Sequence, residues 1–343
     1  MAGIVFMFLS VIGALGRLVE VIPESLKQGI AAGIGLFITL IGFEYGNLIQ
    51  SHPATLLQLG DLRHPASVLT LVGLLLTITL LAFRVPGTIF LGILGTTAIA
   101  LVSGMVRYQG LFSFPTALPD TAFRLDFPGL FSITPATLFA AIFVLFFLDL
   151  FDSLGTVVAV GEQANLAVDG RLPRAGKALF SSAAGTAVGA TLGTSTVVCY
   201  VESAAGVSEG ARTGLANLVT GSLLLGAMFL SPAASLIGGG IEIARDAANN
   251  PVLRYPILAP ALIVVGSLML KIVRRLPWDD PTEYIPAFLI LVTIPFAFSI
   301  AAGVAVGFVS YAAAKAFTGR WKECHWLIYL FAVLFVLQHW WLG

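Results

Sequence analysis

FFLDLFDSLGTVVAVGEQA (146–164) and GATLGTSTVVCYVESAAGV (189–207) carry the pattern that decides the fold. Asp149, Asp152 and Glu202 stand inside apolar runs of membrane-embedded character. An acid there costs a few kcal/mol on insertion scales, so it faces a cavity or a partner. Asp149 and Asp152 are three residues apart, which puts both on one helix face, and Thr156 extends that face. In the second stretch Gly189, Thr191, Gly193, Thr194, Ser195 and Thr196 interrupt the apolar run, which then resumes to about Gly206. A dozen residues of helix rise about 18 Å, roughly half a bilayer. The pattern predicts a discontinuous membrane helix with a half-helix over 196–207. In transporters such helices carry the substrate near the midplane.

Composition agrees. The chain of 343 residues is 58% hydrophobic and 10% charged, far below the quarter charged of a soluble domain. Net charge is zero, which leaves no basic surface for nucleic acid. The two cysteines, Cys199 and Cys324, form no disulfide framework, and the four histidines have no metal-ligand spacing. No catalytic constellation or phosphate-binding glycine loop is visible, so the reading is not an enzyme. Residues 3–15 are apolar with no basic region before them, unlike a signal peptide.

Apolar segments lie at 3–20, 27–49, 67–83, 88–105, 135–157, 178–192, 196–207, 212–231, 256–273, 284–300, 302–318 and 325–341. Alternating the connections leaves Arg63, Arg107, Arg124, Arg245 and Arg254 on one side. The other thirteen of the 18 basic residues fall opposite, the cytoplasmic side. Loops 106–134 and 232–255 then face outward, each with room for a short surface helix. The last segment either spans or lies at the interface on its tryptophans. IPESLKQGIAAGIGLFITLIGF (22–43) and YPILAPALIVVGSLMLKIV (255–273) echo each other as proline-led, glycine-striped spans. Glu44 beside Tyr45 reads as interfacial. Asp279, Asp280 and Glu283 either cap the span after them or lie in a solvated loop.

Residues 146–219, together with 22–43, 260–270 and 279–311, resemble the AzgA-like hypoxanthine/guanine permeases of the nucleobase–cation symporter group, which includes the xanthine and uracil permeases. The resemblance implies an all-α, polytopic core-and-gate fold of inverted repeats with discontinuous helices. It implies a purine held between two broken helices and coupled to H⁺, with no other cofactor. Asp149 and Asp152 take the place of that family's DxxD pair, and Glu202 that of its ESAAG glutamate. Thr194, Ser195 and Thr196 would lie at the start of the half-helix, N–H groups toward the ligand. The family's GMGLNAY stretch has no counterpart here, so three spans are expected to be missing from the front.

The expected organisation is a core remnant at 1–20, gate at 21–105, extracellular loop at 106–134, core at 135–232, extracellular loop at 233–255, gate at 256–318 and a hydrophobic helix at 319–343. Substrate contacts are expected from Asp149, Glu202, Thr194, Ser195 and Phe147, with Asp152 or Asp149 carrying the proton or bracing the helix. A carboxylate can accept from two adjacent purine donors, and a charge-assisted bond is about twice as strong as a neutral one. Phe146 and Phe147 offer ring faces to a base, the alternative being contact with lipid. The expected activity is proton-driven purine uptake across the cytoplasmic membrane; a homodimer is left open. Two alternatives stand beside it: an anion carrier of the same fold, and a fragment that does not transport.

Overall fold

The computed structural model describes residues 2–108, 110–114, 122–126, 129, 134–166, 172–245 and 249–342. The chain divides into two compact units. The first holds Met1–Ile34, Ala117–Ala204 and Met269–Gly343; the second holds Gly35–Thr116 and Ala205–Leu268.

The first unit contains α1 (Ala2–Val11), α2 (Ala14–Val21) and the first half of α3 (Glu24–Tyr45). The expected span at 3–20 is thus two helices, broken at Gly13, whose φ of 77° favours glycine. Helices α4 (Pro65–Ala82) and α5 (Thr88–Val102) belong to the second unit. The first unit resumes with α6 (Pro135–Gln163) and α7 (Ala175–Thr191). A short α8 (Ser203–Ser208) lies at its boundary. After the second unit's α9 (Gly214–Ala227), α10 (Ser231–Gly238) and most of α11 (Ala259–Met269) come α12 (Pro281–Ala297), α13 (Ile300–Phe317) and α14 (Trp326–Leu342). Glu24–Tyr45, Pro65–Ala82, Gly214–Gly238 and Ile300–Phe317 are long and apolar enough to cross a membrane.

Glycine sets the helix spacing in the first unit. A Cβ on Gly29 would lie 2.7 Å from Ala287 O, and one on Gly33 would lie 3.2 Å from Leu291 Cα, so α3 and α12 meet backbone to backbone. Phe151 of α6 stacks edge-on to Phe308 of α13 (6.2 Å) and Phe331 of α14 (5.7 Å), and lies 4.8 Å from Phe335. This ring cluster covers one side of α6. The other side is left for polar groups.

A buried charge network closes the α12–α13 hairpin. Lys315 is fully buried, 2.7 Å from Glu283 and 3.0 Å from Glu323. Glu283 also accepts from Tyr311 Oη (3.0 Å) and from Ser25 of α3. Arg320 joins Asp280 (2.7 Å) to Glu323 (2.7 Å). Asp280 caps α12, its Oδ1 accepting from Thr282 N at 2.9 Å. The Thr282 hydroxyl and Arg320 hold the Asp280 carboxyl at about 2. Arg320 and Lys315 hold Glu323 likewise at about 2. Of the acids before this span, then, Asp280 is the cap and Glu283 is an ion-pair partner.

In the second unit α4 and α5 pair through glycine and threonine. Buried Thr77 and Thr96 satisfy their hydroxyls on their own helices, at Gly73 O (2.8 Å) and Gly92 O (2.7 Å). The two echoing segments touch each other here: a Cβ on Gly266 of α11 would collide with Gly35 O and Thr39 Oγ1 of α3, and one on Gly42 would lie 3.2 Å from Ala259 O. Gly266→Ala is therefore expected to cost about 2 kcal/mol through overpacking, read as a lower melting temperature in detergent. By contrast, open space surrounds Gly221 and Gly226 of α9.

Two antiparallel hairpins depart from the expectation of helices and loops alone. β1 (Ile49–His52) pairs with β2 (Leu56–Leu59), and β3 (Ile241–Arg245) with β4 (Pro251–Arg254). The His52 ring accepts from the N–H groups of Ala54 and Thr55 at 3.2 Å, which fixes the first turn. The 232–255 stretch holds nearly all of the short helix α10, none of whose residues is buried, and the second hairpin. About half of the 106–134 loop, and Arg171 of the basic loop, lie outside the described residues. Glu44 pairs with Arg254 at 3.4 Å, and the Tyr45 and Tyr255 rings pack at a tilt of 50° with centroids 4.7 Å apart.

Candidate functional site

Local stop signals position the site. The Thr134 hydroxyl and Pro135 start α6. Asn165, at φ 52°, ends it: Leu166 N donates to Gly161 O (3.0 Å) and Asn165 N to Glu162 O (3.0 Å). Gly193 ends α7 in the same way. At φ 79° it lets Thr194 N reach Gly189 O (3.0 Å) while Gly193 N donates to Ala190 O (3.2 Å). The break expected between Gly189 and Thr196 is present.

The half-helix expected after the break does not form. Residues 194–200 run without helical structure, Val201 and Glu202 turn, and helix covers only Ser203–Ser208. The apolar run over 197–201 satisfies helix and extended chain alike, and Val197, Val198 and Tyr200 favour the latter. Thr194, Ser195 and Thr196 therefore do not sit at a helix start; they are exposed in the irregular segment before it.

Three hydroxyls from the two helices hold that segment in place. Val197 O accepts from Ser182 Oγ (3.0 Å) and Thr186 Oγ1 (3.0 Å), and Val197 N lies 3.0 Å from Thr186 Oγ1. Ser182 Oγ is 2.9 Å from Ser153 Oγ on α6. Further on, Gln163 Nε2 donates to Ala204 O at 3.3 Å. In an apolar surrounding these replace the ladder bonds a helix would have made.

Asp149 stands at the centre of the clasp. Its side chain is 2% exposed, and Thr186 Oγ1 lies 3.2 Å from its Oδ2. Its Oδ1 is buried with no hydrogen-bond partner among the described residues. Asp152 is half-buried one turn on, and Thr156 is buried, bonded to Asp152 O at 2.9 Å. Glu202 is exposed at the turn before α8, five residues past the clasped Val197. Phe146 packs edge-on to Phe6 at 6.1 Å, and the Phe147 side chain lies outside the described residues. Sequence reading singled out Asp149, Asp152 and Glu202 but missed Ser153, Ser182 and Thr186. Their signal was present: small hydroxyls at i, i+4 on α7 opposite a serine on α6.

Among the described residues no cluster of His, Cys, Asp and Glu has the make-up of a metal centre. The arrangement instead offers one unmatched carboxylate oxygen beside opened backbone. The model of a permease family matches residues 1–306.

The chain belongs to the xanthine/uracil permease family.

The family match covers residues 1–306, and the chain spans about three quarters of the length of the first relatives it matches. Over 338 residues the chain is 38% identical to the guanine/hypoxanthine permease PbuO of Bacillus subtilis, covering 98% of this chain and 75% of that permease. It is 36% identical to the adenine permease AdeP of Escherichia coli over 318 residues, 92% of this chain and 67% of that one. Among solved structures it is similar to the transmembrane domain of a cyanobacterial bicarbonate transporter, BicA. The TM-score there is 0.55 at 17% identity, over 88% of this chain and 74% of that one. That likeness bears on the fold alone: both are helical membrane transporters of the inverted-repeat type.

Proposed function

We propose that this permease takes up purine nucleobases, such as hypoxanthine, guanine or adenine, in symport with H⁺. The unmatched Oδ1 of buried Asp149, beside a broken membrane segment, carries the reading. A buried carboxylate oxygen without a donor is costly, and a purine ring N–H supplies that donor through a charge-assisted bond. Glu202 is the second acceptor, brought near by the irregular segment and turned inward when the base binds. Asp149 and Asp152, one helical turn apart, share the coupled proton. Residues 135–232 form the substrate core, and 21–105 with 256–318 the gate. The names of the relatives support the purine class. A second reading as an anion carrier is weaker, because carboxylates at the site would repel its ligand.

The test is uptake of radiolabelled hypoxanthine into proteoliposomes holding the full chain. Guanine and adenine are expected to compete, sulfate is not, and a protonophore is expected to collapse accumulation. Competition by sulfate alone would overturn the purine assignment. Accumulation indifferent to the protonophore would remove the proton.

A further inference from the structure

Helix α6 carries a third acid at its far end. Glu162 is 2% exposed, and its Oε1 is buried with no hydrogen-bond partner among the described residues. Its Oε2 lies 4.0 Å from Nη1 of Arg275, whose side chain is 54% exposed. Arg275 Nη2 donates to Asn165 Oδ1 at 2.7 Å, which ties the guanidinium to the residue that ends the helix. So long and exposed a pairing contributes little, and a bare carboxylate oxygen shut away from water is costly. A bound proton removes that cost.

The surroundings admit water. Gln163 Oε1, beside Glu162 on α6, and Gln28 Oε1, near the start of α3, are buried and unmatched among the described residues as well. Buried acceptors lacking donors are the groups that water satisfies. α3 packs along α6, where a Cβ on Gly155 would lie 3.5 Å from Ile30 Cγ2. The charges facing Glu162 are Lys27 and Glu24 of α3 and Arg275 of the α11–α12 connection, and Glu20 of α2 faces Lys27. Gln163 Nε2 donates to Ala204 O, so this end of α6 is also tied to the segment that carries Glu202. The basic residues assign it to the cytoplasm.

We propose that Glu162 is the group through which the coupled proton leaves for the cytoplasm. The inference rests on the proton-symport reading and adds to it a residue away from the base. From Asp152 to Glu162 the helix rises about 15 Å, too far for direct transfer. Water entering from the cytoplasmic side carries the proton from the Asp149–Asp152 pair, which is left one charge more negative, to Glu162 Oε1. That O–H bond then breaks, the proton passes to cytoplasmic water as hydronium, and Arg275 and Lys27 face the restored carboxylate.

The full chain in proteoliposomes separates this role from a structural one. Glu162→Gln holds no releasable proton. It is expected to lower hypoxanthine accumulation driven by an acid-outside pH gradient at least about tenfold. Exchange of external radiolabelled hypoxanthine for internal unlabelled hypoxanthine, which needs no proton release, is expected to change less than about twofold. Glu162→Asp, which keeps an acid, is expected to recover most of the accumulation. Arg275→Gln removes the facing cation and is expected to raise the lumenal pH of half-maximal accumulation by about half a unit. Accumulation at the parent's level in Glu162→Gln overturns the proposal. So does equal loss of accumulation and exchange, the mark of a structural acid, or an unmoved pH profile in Arg275→Gln. If accumulation by the parent ignores both the pH gradient and a protonophore, the proton reading fails and this inference fails with it.

Discussion

Replacing Asp149 with asparagine is expected to lower hypoxanthine uptake at least about 100-fold while leaving the protein folded. A factor of 100 corresponds to about 2.7 kcal/mol, within the roughly 1.5–3 kcal/mol of a hydrogen bond to a charged group. Asparagine has nearly the same shape, and its carbonyl oxygen still lies beside Thr186 Oγ1. Its NH₂ group, however, points a donor at the purine donor that the open oxygen of Asp149 would have received. Folding gives the control. Asp149 is 2% exposed, and removing a charge from such a place does not weaken the fold. The melting temperature of Asp149→Asn in detergent is therefore expected to match or exceed that of the parent. Uptake that keeps both its rate and its protonophore sensitivity in the variant would refute the role given to this carboxylate.

Lys315→Met is expected to act the opposite way, destabilising the protein by about 3 kcal/mol. Lys315 is fully buried between Glu283 and Glu323. Its loss leaves Glu283, 20% exposed, with Ser25 and Tyr311 as its neutral donors among the described residues. Adding Glu283→Gln to Lys315→Met is expected to recover part of the loss, because the stranded charge is then gone. Full additivity of the two single losses would show that the ion pair does not act as a unit. The network also sets an acid limit. Asp280 and Glu323 are held at about 2, below the ordinary carboxylate range near 4. A depressed pKa adds stability that is complete above the unfolded value and lost as pH falls from about 4 toward 2. Melting curves at descending pH, with and without Arg320→Ala, read that loss directly.

The parts visible in the sequence were those with a strong local cause. Acids in apolar runs marked α6, and Gly193 marked the end of α7, because a left-handed stop needs glycine whatever surrounds it. The state of residues 194–202 depended on partners far along the chain. Ser182 and Thr186 hold Val197, and nothing inside TSTVVCYVE declares that they will. The echo at 22–43 and 255–273 was legible as a repeat, but not that the two copies pack on each other. Lys315 sits in the small-residue run AAAKAF, where topology alone had placed it on the cytoplasmic side. Its burial stems from Glu283 and Glu323, acids that local sequence reads as ordinary loop or cap residues. The two hairpins were missed because each strand is four or five residues long, too short for alternation to stand out.

The contrast between crowded and open glycines has a consequence for anyone engineering this protein. Gly29 and Gly266 occupy places where neighbouring main chain excludes even a methyl group. Gly221 and Gly226 face vacant room on a long apolar helix. Alanine scanning for thermostable variants therefore divides by address rather than by residue type. Substitutions on α9 gain helix propensity without collision, and the same letter change on α3 or α11 wedges two cylinders apart.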